Sequence, residues 1–255
     1  MKIAVIIPSR YGSSRFPGKP LALIKGKSLI QHTIERVKLC KEIDFIAVAT
    51  DDKRIFNTVK SFGFNVFMTP KTCKTGTDRI AFLAKKELSK YNAFINVQGD
   101  EPLIDPNLVD EIAKSFKRDK ALKYVTAAFK IKDKQSIDNP NVVKVVFDKE
   151  RYALYFSRSP IPYNRDNIKT NYYKHIGIYG YKREFLLNFS KSKMSVLEKT
   201  ENLEQLRALE NGKKIKVVIS KNDSIGIDMS EDILKVEETF IAYKRGYKIN
   251  AKQVR

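Results

Sequence analysis

The chain has 255 residues, a length that suits one α/β domain with a smaller lobe. Its 42% apolar content supports a sizeable core and excludes a disordered protein. The 49 basic and 29 acidic residues give a net charge of +20, but the lysines are spread along the whole chain. We therefore expect a solvated basic surface that also attracts small anions, and no nucleic-acid partner. A nucleic-acid-binding protein is the alternative, and it requires a basic stripe on one face of the molecule.

The sequence has none of the usual signals of membrane, secreted or metal-cluster proteins. No stretch is long and apolar enough to cross a bilayer, and Met1 and Lys2 lead directly into a predicted strand without a signal-peptide pattern. Cys40 and Cys73 lack metal or redox spacing, and only two histidines occur. We therefore expect reduced, packed cysteines and a cytoplasmic protein without a membrane partner.

A basic loop follows the first predicted strand. The strand is the apolar run 3–7, and a loop at its end opens at the carboxyl edge of the sheet, where open α/β folds bind ligands. The loop, residues 8–20 (PSRYGSSRFPGKP), carries Arg10, Arg15 and Lys19 beside flexible backbone N–H groups. Cations and free N–H groups are what a triphosphate requires, so the pattern predicts a phosphate-binding loop.

This loop differs from the Walker A loop of P-loop ATPases. Gly12 and Gly18 are one residue too far apart for that motif. Pro20 follows Lys19 at the position where Walker A loops have a magnesium-binding Ser or Thr. The spacing therefore excludes a P-loop ATPase.

Helices and strands alternate after the loop through the first half of the chain. Apolar stripes at helical spacing and short apolar runs identify them. The predicted elements are a helix over 29–40, a strand over 45–50, a helix over 53–62, a strand over 64–68, a helix capped by Thr77, and a strand over 93–97. This alternation predicts right-handed βαβ units on a mainly parallel sheet.

The segment Asn96–Pro102 (NVQGDEP) places two carboxylates at the end of a predicted strand. Gly99 allows a sharp turn and the close approach of a ligand. Asp100 can bind Mg²⁺, which takes one or two protein carboxylates together with phosphate oxygens. Alternatively, Asp100 and Glu101 only cap the turn before Pro102. Their position at the same sheet edge as the phosphate loop favours a metal site.

The second half of the chain has a different pattern. Strand-like runs at 124–131, 142–147, 152–156 and 172–181 follow one another with few helices, which predicts an antiparallel insertion. A helix, a strand and a helix at 203–211, 215–219 and 230–243 come last. We expect one domain over 1–255, with a nucleotide-binding core over about 1–122 and 200–255 and a smaller lobe over about 123–199.

Asp228 lies just before the last predicted helix, whose N-terminus is marked by Ser230. Alone, Asp228 is a turn aspartate. Together with Asp100, it becomes a candidate second metal ligand.

These segments together resemble the cytidylyltransferases that activate 3-deoxy-D-manno-octulosonate (Kdo). The resemblance spans nearly the whole chain. The shared segments are residues 8–20, 48–52, 75–79, 97–102, 155–162, 175–179, 203–210 and 226–228. Two departures, Met229-Ser230 for Thr-Pro and Thr75 for a common Ser, preserve the helix start and the hydroxyl group.

The resemblance implies a Rossmann-like nucleotidyltransferase fold and a homodimer. It implies the reaction of CTP with Kdo to give CMP-Kdo and pyrophosphate, with Mg²⁺, for lipopolysaccharide biosynthesis. Related family members use 8-amino-Kdo, and motif matching does not decide between these acceptors or another sugar acid.

The resemblance also implies roles for particular residues. Arg10, Ser13, Arg15 and Lys19 would hold the triphosphate, with Arg15 and Lys19 also catalytic, and Asp100 and Asp228 would hold Mg²⁺. Arg79 would help to read the base. Gln98, His175, Tyr179, Glu204 and Gln205 would line the sugar-acid pocket, with Arg158 nearby.

Several of these residues also have purely structural interpretations. His175 can be a satisfied core histidine, Glu204 and Gln205 can be solvent-exposed, and Arg158 can pair with a carboxylate. Asp51 and Asp52 are left out of the site because they can simply begin a helix. His32 is expected to be structural.

Overall fold

A single large β-sheet forms the centre of the computed structural model, which describes residues 1–12, 16–227 and 229–244. The strands in chain order are β1 (Ile3–Ser9), β2 (Leu23–Ile24), β3 (Lys27–Ser28), β4 (Phe45–Thr50), β5 (Val66–Met68), β6 (Ala93–Asn96), β7 (Tyr124–Lys130), β8 (Lys144–Phe147), β9 (Ala153–Ser157), β10 (Tyr173–Lys182) and β11 (Lys216–Ile219). The helices are α1 (Leu29–Val37), α2 (Lys53–Ser61), α3 (Gly76–Lys85), α4 (Pro106–Arg118), α5 (Lys134–Asp138), α6 (Arg183–Phe189), α7 (Val196–Glu201), α8 (Gln205–Glu210) and α9 (Asp232–Lys244).

The main sheet is mainly parallel. Its strands lie in the order β11–β7–β10–β6–β1–β4–β5. Strand β1 pairs in parallel with β4 and β6, β4 with β5, and β7 with β11. Strand β10 is antiparallel to both of its neighbours, β6 and β7. The antiparallel pair β8–β9 joins β10 where Lys144 lies opposite Lys174. The predicted α/β class, with a mainly parallel Rossmann-like sheet and additional antiparallel strands, is confirmed.

The segment 123–199 is not simply an antiparallel insertion. Strand β7 continues the parallel set, and β10 lies inside the main sheet. Only β8 and β9 branch from it. The side-chain pattern of a strand marks its buried face but does not encode which neighbour it pairs with or in which direction. The proposed division into a core and a smaller lobe stays a prediction.

Helices cover both faces of the sheet, because its central strands are apolar on both sides. Helices α1, α2 and α4 pack on one face, where Ile34, Val59 and Ile112 are buried. Helices α3, α6 and α8 pack on the other, together with the β8–β9 pair. A third cluster, which includes Ile227, lies beneath α9. In the part of the chain that the structure describes, no helix is long and apolar enough to span a membrane.

The start of α3 differs from the sequence prediction. Thr75, and not Thr77, caps this helix: its hydroxyl accepts a hydrogen bond from the Asp78 N–H, and the Asp78 carboxylate accepts one from the Thr75 N–H. Both threonines are good cap residues, and the reciprocal bond with Asp78 selects the first. Thr77 is thereby left free to contact another segment. His32 is buried and donates to the Ile24 carbonyl, as its expected structural role requires.

Candidate active site

Lys19 connects three distant segments at the carboxyl edge of the sheet. Its ammonium Nζ lies 2.5 Å from Asp100 Oδ2 and donates to the Ile227 carbonyl oxygen at 2.6 Å. Asp100 follows β6, which is a direct neighbour of β1, and Ile227 precedes α9. The predicted meeting of the basic loop and the Asp100 turn is therefore present in the structure. Ser13, Arg15 and Asp228 lie outside the described residues.

Gly99 lets the Asp100 turn pack against the end of β1. A Cβ atom at position 99 would lie 2.4 Å from Ser9 Oγ and 3.0 Å from the Pro8 carbonyl oxygen. These distances are too short for any side chain. The glycine is thus required by neighbouring protein atoms, whereas the sequence suggested that it serves the turn and a ligand.

The Asp100 carboxylate suits a magnesium ion that is shared with phosphate oxygens. About a third of its side chain is exposed (32%), and only Oδ2 has a hydrogen-bond partner among the described residues. Within residues 1–12, 16–227 and 229–244, no group of three or more His, Cys, Asp or Glu side chains could hold a metal. The roles of Asp100 and Asp228 as metal ligands stay predictions.

Glu101 is a half-buried acid that the sequence analysis does not assign to the site. Its Oε2 accepts a hydrogen bond from the Ser224 hydroxyl, in the loop before α9. Burial raises the pKa of Glu101 to about 7, and the negative charge of Asp100 adds to this effect. Nothing in the sequence pattern identifies this contact, because the two residues are far apart in the chain.

The two other arginines proposed to hold the nucleotide have different environments. Arg10 is exposed, and its Nη1 donates to the Lys74 carbonyl at 3.0 Å. Arg79 is only 1% exposed, and its guanidinium donates to Thr69 Oγ1 at 2.6 Å and to Asp51 Oδ2 at 2.7 Å. Arg79 thus joins α3 to the ends of β4 and β5. The sequence analysis leaves Asp51 out of the site. Asp51 could have been found from its position after a strand, the same signal that identified Asp100.

The residues proposed for the sugar acid form a connected group. Tyr179 of β10 donates its hydroxyl to Gln205 Oε1 at 3.3 Å. Thr77 donates to Glu204 Oε2 at 2.8 Å. Gln98 lies beside β10, since a Cβ atom added to Gly177 would be 4.0 Å from its Cγ. Strands β6 and β10 and helices α3 and α8 therefore bring these side chains together.

Gln205 and Glu204 are not solvent-exposed residues. Gln205 is 1% exposed, and its Nε2 has no hydrogen-bond partner among the described residues. A buried unpaired donor is costly, so it favours a ligand that accepts a hydrogen bond there. Burial raises the pKa of Glu204, whereas the Thr77 hydroxyl and the Arg207 guanidinium oppose the shift.

His175 is a hydrogen-bonded, neutral histidine. The Thr126 hydroxyl donates to the Ile178 carbonyl at 2.8 Å, so its oxygen accepts from His175 Nε2, also at 2.8 Å. Burial lowers the pKa of His175 to about 3. The ring packs 5.0 Å from Phe156 and 5.4 Å from Tyr179, measured between centroids. His175 therefore presents a neutral imidazole beside Tyr179.

Arg158 does not join this group through its described hydrogen bonds. Its Nε donates to the Glu201 carbonyl at 2.7 Å, and its Nη1 donates to the Pro140 carbonyl at 3.1 Å. The guanidinium of Arg158 therefore donates to backbone oxygens, whereas its structural interpretation in the sequence analysis was a pair with a carboxylate. The guanidinium holds the segment after β9 against α7.

Comparison with known proteins matches residues 4–215 to the family described as Cytidylyltransferase. A protein from Fusobacterium nucleatum subsp. nucleatum named 3-deoxy-manno-octulosonate cytidylyltransferase is 48% identical over 92% of this chain and 96% of its own length. Another of that name from Desulfosudis oleivorans is 51% identical over 93% of this chain and 96% of its own. A protein from Shewanella frigidimarina named 8-amino-3,8-dideoxy-manno-octulosonate cytidylyltransferase is 50% identical over 93% of this chain and 98% of its own length.

Solved structures agree with this assignment. The structure of CMP:2-keto-3-deoxy-manno-octonic acid synthetase complexed with CTP has a TM-score of 0.91 and 40% identity, and covers 95% of this chain and 100% of that one. A 4-diphosphocytidyl-2C-methyl-D-erythritol synthase from Anaerococcus prevotii, 19% identical with a TM-score of 0.64, shares the fold over 94% of this chain and 96% of its own. The chain belongs to the cytidylyltransferase family.

Proposed function

We propose that this enzyme transfers the cytidylyl group of CTP to Kdo, giving CMP-Kdo and pyrophosphate for lipopolysaccharide biosynthesis. The observation that carries the proposal is the Lys19–Asp100 pair at the carboxyl edge of the sheet, beside the group around Tyr179 and Gln205. Relatives named for this reaction match more than nine-tenths of the chain. The pair suits a triphosphate, and the neighbouring group suits a hydroxylated acid.

The reaction needs little covalent chemistry from the protein. The anomeric hydroxyl oxygen of Kdo forms a bond to the α-phosphorus of CTP, the bond from that phosphorus to the bridging oxygen breaks, and the hydroxyl proton is released. Pyrophosphate leaves in line and carries additional negative charge. Lys19 is already at this edge and would neutralise that charge, with Arg10 and Arg15 as further cations.

Asp100 and Asp228 are the residues that would hold Mg²⁺. When bound, the ion would supply positive charge beside the reacting phosphates. The carboxylate of Asp100 would orient the phosphates through this charge, and Lys19 would keep the carboxylate in place.

The acceptor would be bound by neutral hydrogen-bonding groups. Gln205 has a buried amide donor that lacks a partner among the described residues. Tyr179 donates to its side-chain oxygen, and His175 packs beside Tyr179. Gln98 would extend the group towards Asp100. Glu204 would complete the lining of the acceptor site, and the hydrogen bond from Thr77 would hold its carboxylate in place.

A second candidate acceptor is 8-amino-Kdo. The Shewanella frigidimarina relative that carries this substrate in its name is as similar to the chain as those named for Kdo. We keep 8-amino-Kdo as the alternative acceptor for the same chemistry.

We also propose that the enzyme is a homodimer in the cytoplasm. Three large apolar side chains between β9 and β10, or on β9 itself, are strongly exposed: Leu154 at 62%, Tyr163 at 87% and Ile168 at 67%. Exposed apolar side chains grouped in one segment favour contact with another protein surface. A second copy of this chain is the partner that the family resemblance implies.

The function is tested by measuring pyrophosphate release with Mg²⁺ and CTP in the presence of Kdo, 8-amino-Kdo or sialic acid. We expect release with Kdo and none with sialic acid. Turnover with 8-amino-Kdo alone would establish the alternative acceptor. A folded enzyme that binds CTP but releases no pyrophosphate with any of them would refute both acceptors.

Two variants test the residues. Asp100→Asn should lower the rate by about 100-fold or more. The carboxylate would bind the metal ion that stabilises the charge of the transition state, and that stabilisation amounts to several kcal/mol. Lys19→Ala should lower kcat/KM for CTP by about 100-fold through loss of a preorganised cation. Lys120→Ala, which removes an exposed lysine outside the proposed site, is the matched control and should retain normal kinetics. Unchanged kinetics in Lys19→Ala would remove the loop from the mechanism.

A further inference from the structure

A basic cleft lies at the amino edge of the sheet, opposite the candidate active site. Its volume is about 690 Å³, which falls within the range of small-molecule pockets. Lys123, Lys182, Arg183 and Lys213 line this cleft. Among the described residues on its walls, Glu184 is the only acidic one. The cleft therefore has a strong excess of positive charge.

The topology of the sheet brings these cations together. Lys123 directly precedes β7, and so it lies where the parallel strands begin. Strand β10 runs in the opposite direction and ends at the same edge, where Lys182 lies opposite Ala93 of β6. The Lys182 N–H donates to the Lys123 carbonyl at 2.9 Å. Arg183 begins α6, and Lys213 follows α8. Segments that are distant in the chain thus present their positive charges to one cavity.

These cations have no carboxylate partners within the described part of the chain. Arg183 Nε donates to the Ala84 carbonyl at 2.9 Å, and no described residue accepts from its two Nη groups. Lys182 Nζ lies 3.1 Å from the Met1 sulfur and 5.8 Å from the centre of the Phe116 ring. Like charges on the walls of one cleft focus a positive potential on its interior. An anion in the cleft would relieve their mutual repulsion.

Aromatic side chains form another part of the same cleft. Phe185 is half-buried, and Tyr91 and Phe189 are buried beside it. Arg207 also lines the cleft, but Glu198 already neutralises its charge. The walls thus combine unpaired cations with an apolar surface, which suits a phosphate group carried by a small molecule.

We propose that this cleft is a second anion-binding site, which takes the di- or triphosphate group of a small molecule. The free Nη groups of Arg183 can donate two parallel hydrogen bonds to phosphate oxygens, and the lysines add point charges around them. The phosphate group belongs either to an inorganic polyphosphate or to a nucleotide whose ring would pack against Phe185. The Lys19–Asp100 pair lies at the other edge of the sheet, so the two sites can be occupied together.

The test measures the binding of inorganic tripolyphosphate by isothermal titration calorimetry, without Mg²⁺. The full-length Lys19→Ala variant is the starting protein, because it weakens binding at the phosphate loop. We expect this variant to bind tripolyphosphate, and the added pair Lys123→Gln/Lys182→Gln to weaken that binding by about 10-fold or more. Lys213→Gln, added alone, should shift the affinity in the same direction.

The pair Lys38→Gln/Lys60→Gln is the matched control in the same starting protein. It removes the same charge from two exposed lysines, beside α1 and on α2, which pack on the other face of the sheet. We expect its affinity for tripolyphosphate to stay unchanged. An equal loss in this control would attribute the effect to net charge and overturn the proposal.

ATP, titrated in the same way, identifies the source of the phosphate group. Tighter binding of ATP than of tripolyphosphate would show that the site takes a nucleotide, whereas equal binding would show that it reads the phosphates alone. Much tighter binding of a single-stranded oligonucleotide through the same lysines would overturn the small-molecule site in favour of nucleic acid.

The proposal is also overturned if Lys19→Ala binds no tripolyphosphate, or if the folded Lys123→Gln/Lys182→Gln protein binds it as tightly as its parent. If that protein does not fold, Lys123→Gln and Lys213→Gln, each added alone, decide the question. The measurement needs neither an acceptor nor pyrophosphate release. Its result is therefore independent of the proposed function.

Discussion

Two cations proposed for this site differ in what surrounds them. The Arg79 guanidinium already has a carboxylate and a hydroxyl as partners, and its side chain is 1% exposed. The Lys19 side chain is 12% exposed, and its partner Asp100 is 32% exposed. A phosphate can therefore approach Lys19 and Asp100 directly. Arg79 joins the segments after β4 and β5, and its role in reading the base stays a prediction.

The neutral state of His175 gives a pH prediction. The pKa of His175 is about 3 in the folded protein, whereas a histidine in an unfolded chain has a pKa of 6.5. Between these values the unfolded chain binds a proton that the folded chain does not, so His175 makes the free energy of unfolding rise with pH through this window. His175→Gln should therefore reduce the difference in unfolding free energy between about pH 4 and pH 7.

Urea unfolding of the wild type and His175→Gln at several pH values measures this difference. The lost contact with Thr126 changes stability at every pH, whereas the titration effect changes its slope. Equal slopes in the two proteins would show that His175 titrates normally.

At the scale of elements, one buried ion pair positions the start of α8. Arg207 donates to both carboxylate oxygens of Glu198, at 2.7 and 2.6 Å, and joins α8 to α7. Its Nη2 also lies 3.3 Å from Glu204 Oε1. Since Glu204 and Gln205 begin this helix, the pair holds in place the two residues that we propose for the acceptor site.

Arg207→Leu should lower the free energy of unfolding by about 3–5 kcal/mol, because Glu198 would remain buried without its partner. Urea unfolding measures the loss, and KM for the acceptor should rise. The double variant Arg207→Leu/Glu198→Leu should recover much of the stability. Lys114→Ala, which breaks an exposed pair with Glu111, should cause no measurable change. A single variant as stable as the wild type would contradict the expectation.

The sequence was sufficient to place the basic loop and Asp100 together, because both follow apolar strands that predict neighbours in a parallel sheet. It was not sufficient for contacts that depend on tertiary packing. The Glu101–Ser224 bond and the burial of Arg79 have no local signal. The direction of β10 also cannot be read from the sequence, since the alternation of apolar residues is the same in parallel and antiparallel strands. Short helices such as α7 are fixed by caps and packing more than by periodicity.

At the scale of the whole molecule, the exposed apolar side chains of segment 154–168 predict the oligomeric state. We expect light scattering to give the mass of two chains. Leu154→Asp with Ile168→Asp should shift the protein towards one chain, because it places charges in a buried contact. Leu234→Asp, which changes a side chain of similar exposure (66%) on α9, should remain dimeric. A wild type with the mass of one chain would refute the homodimer.

The reversed direction of β10 has a consequence for how acceptor preference can change. Because β10 runs against its neighbours, it enters the sheet at the carboxyl edge, and the connection at 158–172 arrives there as well. The nucleotide side depends on loops that leave the parallel strands β1 and β6. Insertions or deletions in 158–172 would therefore change the sheet edge next to β10 while the loops after β1 and β6 keep their length.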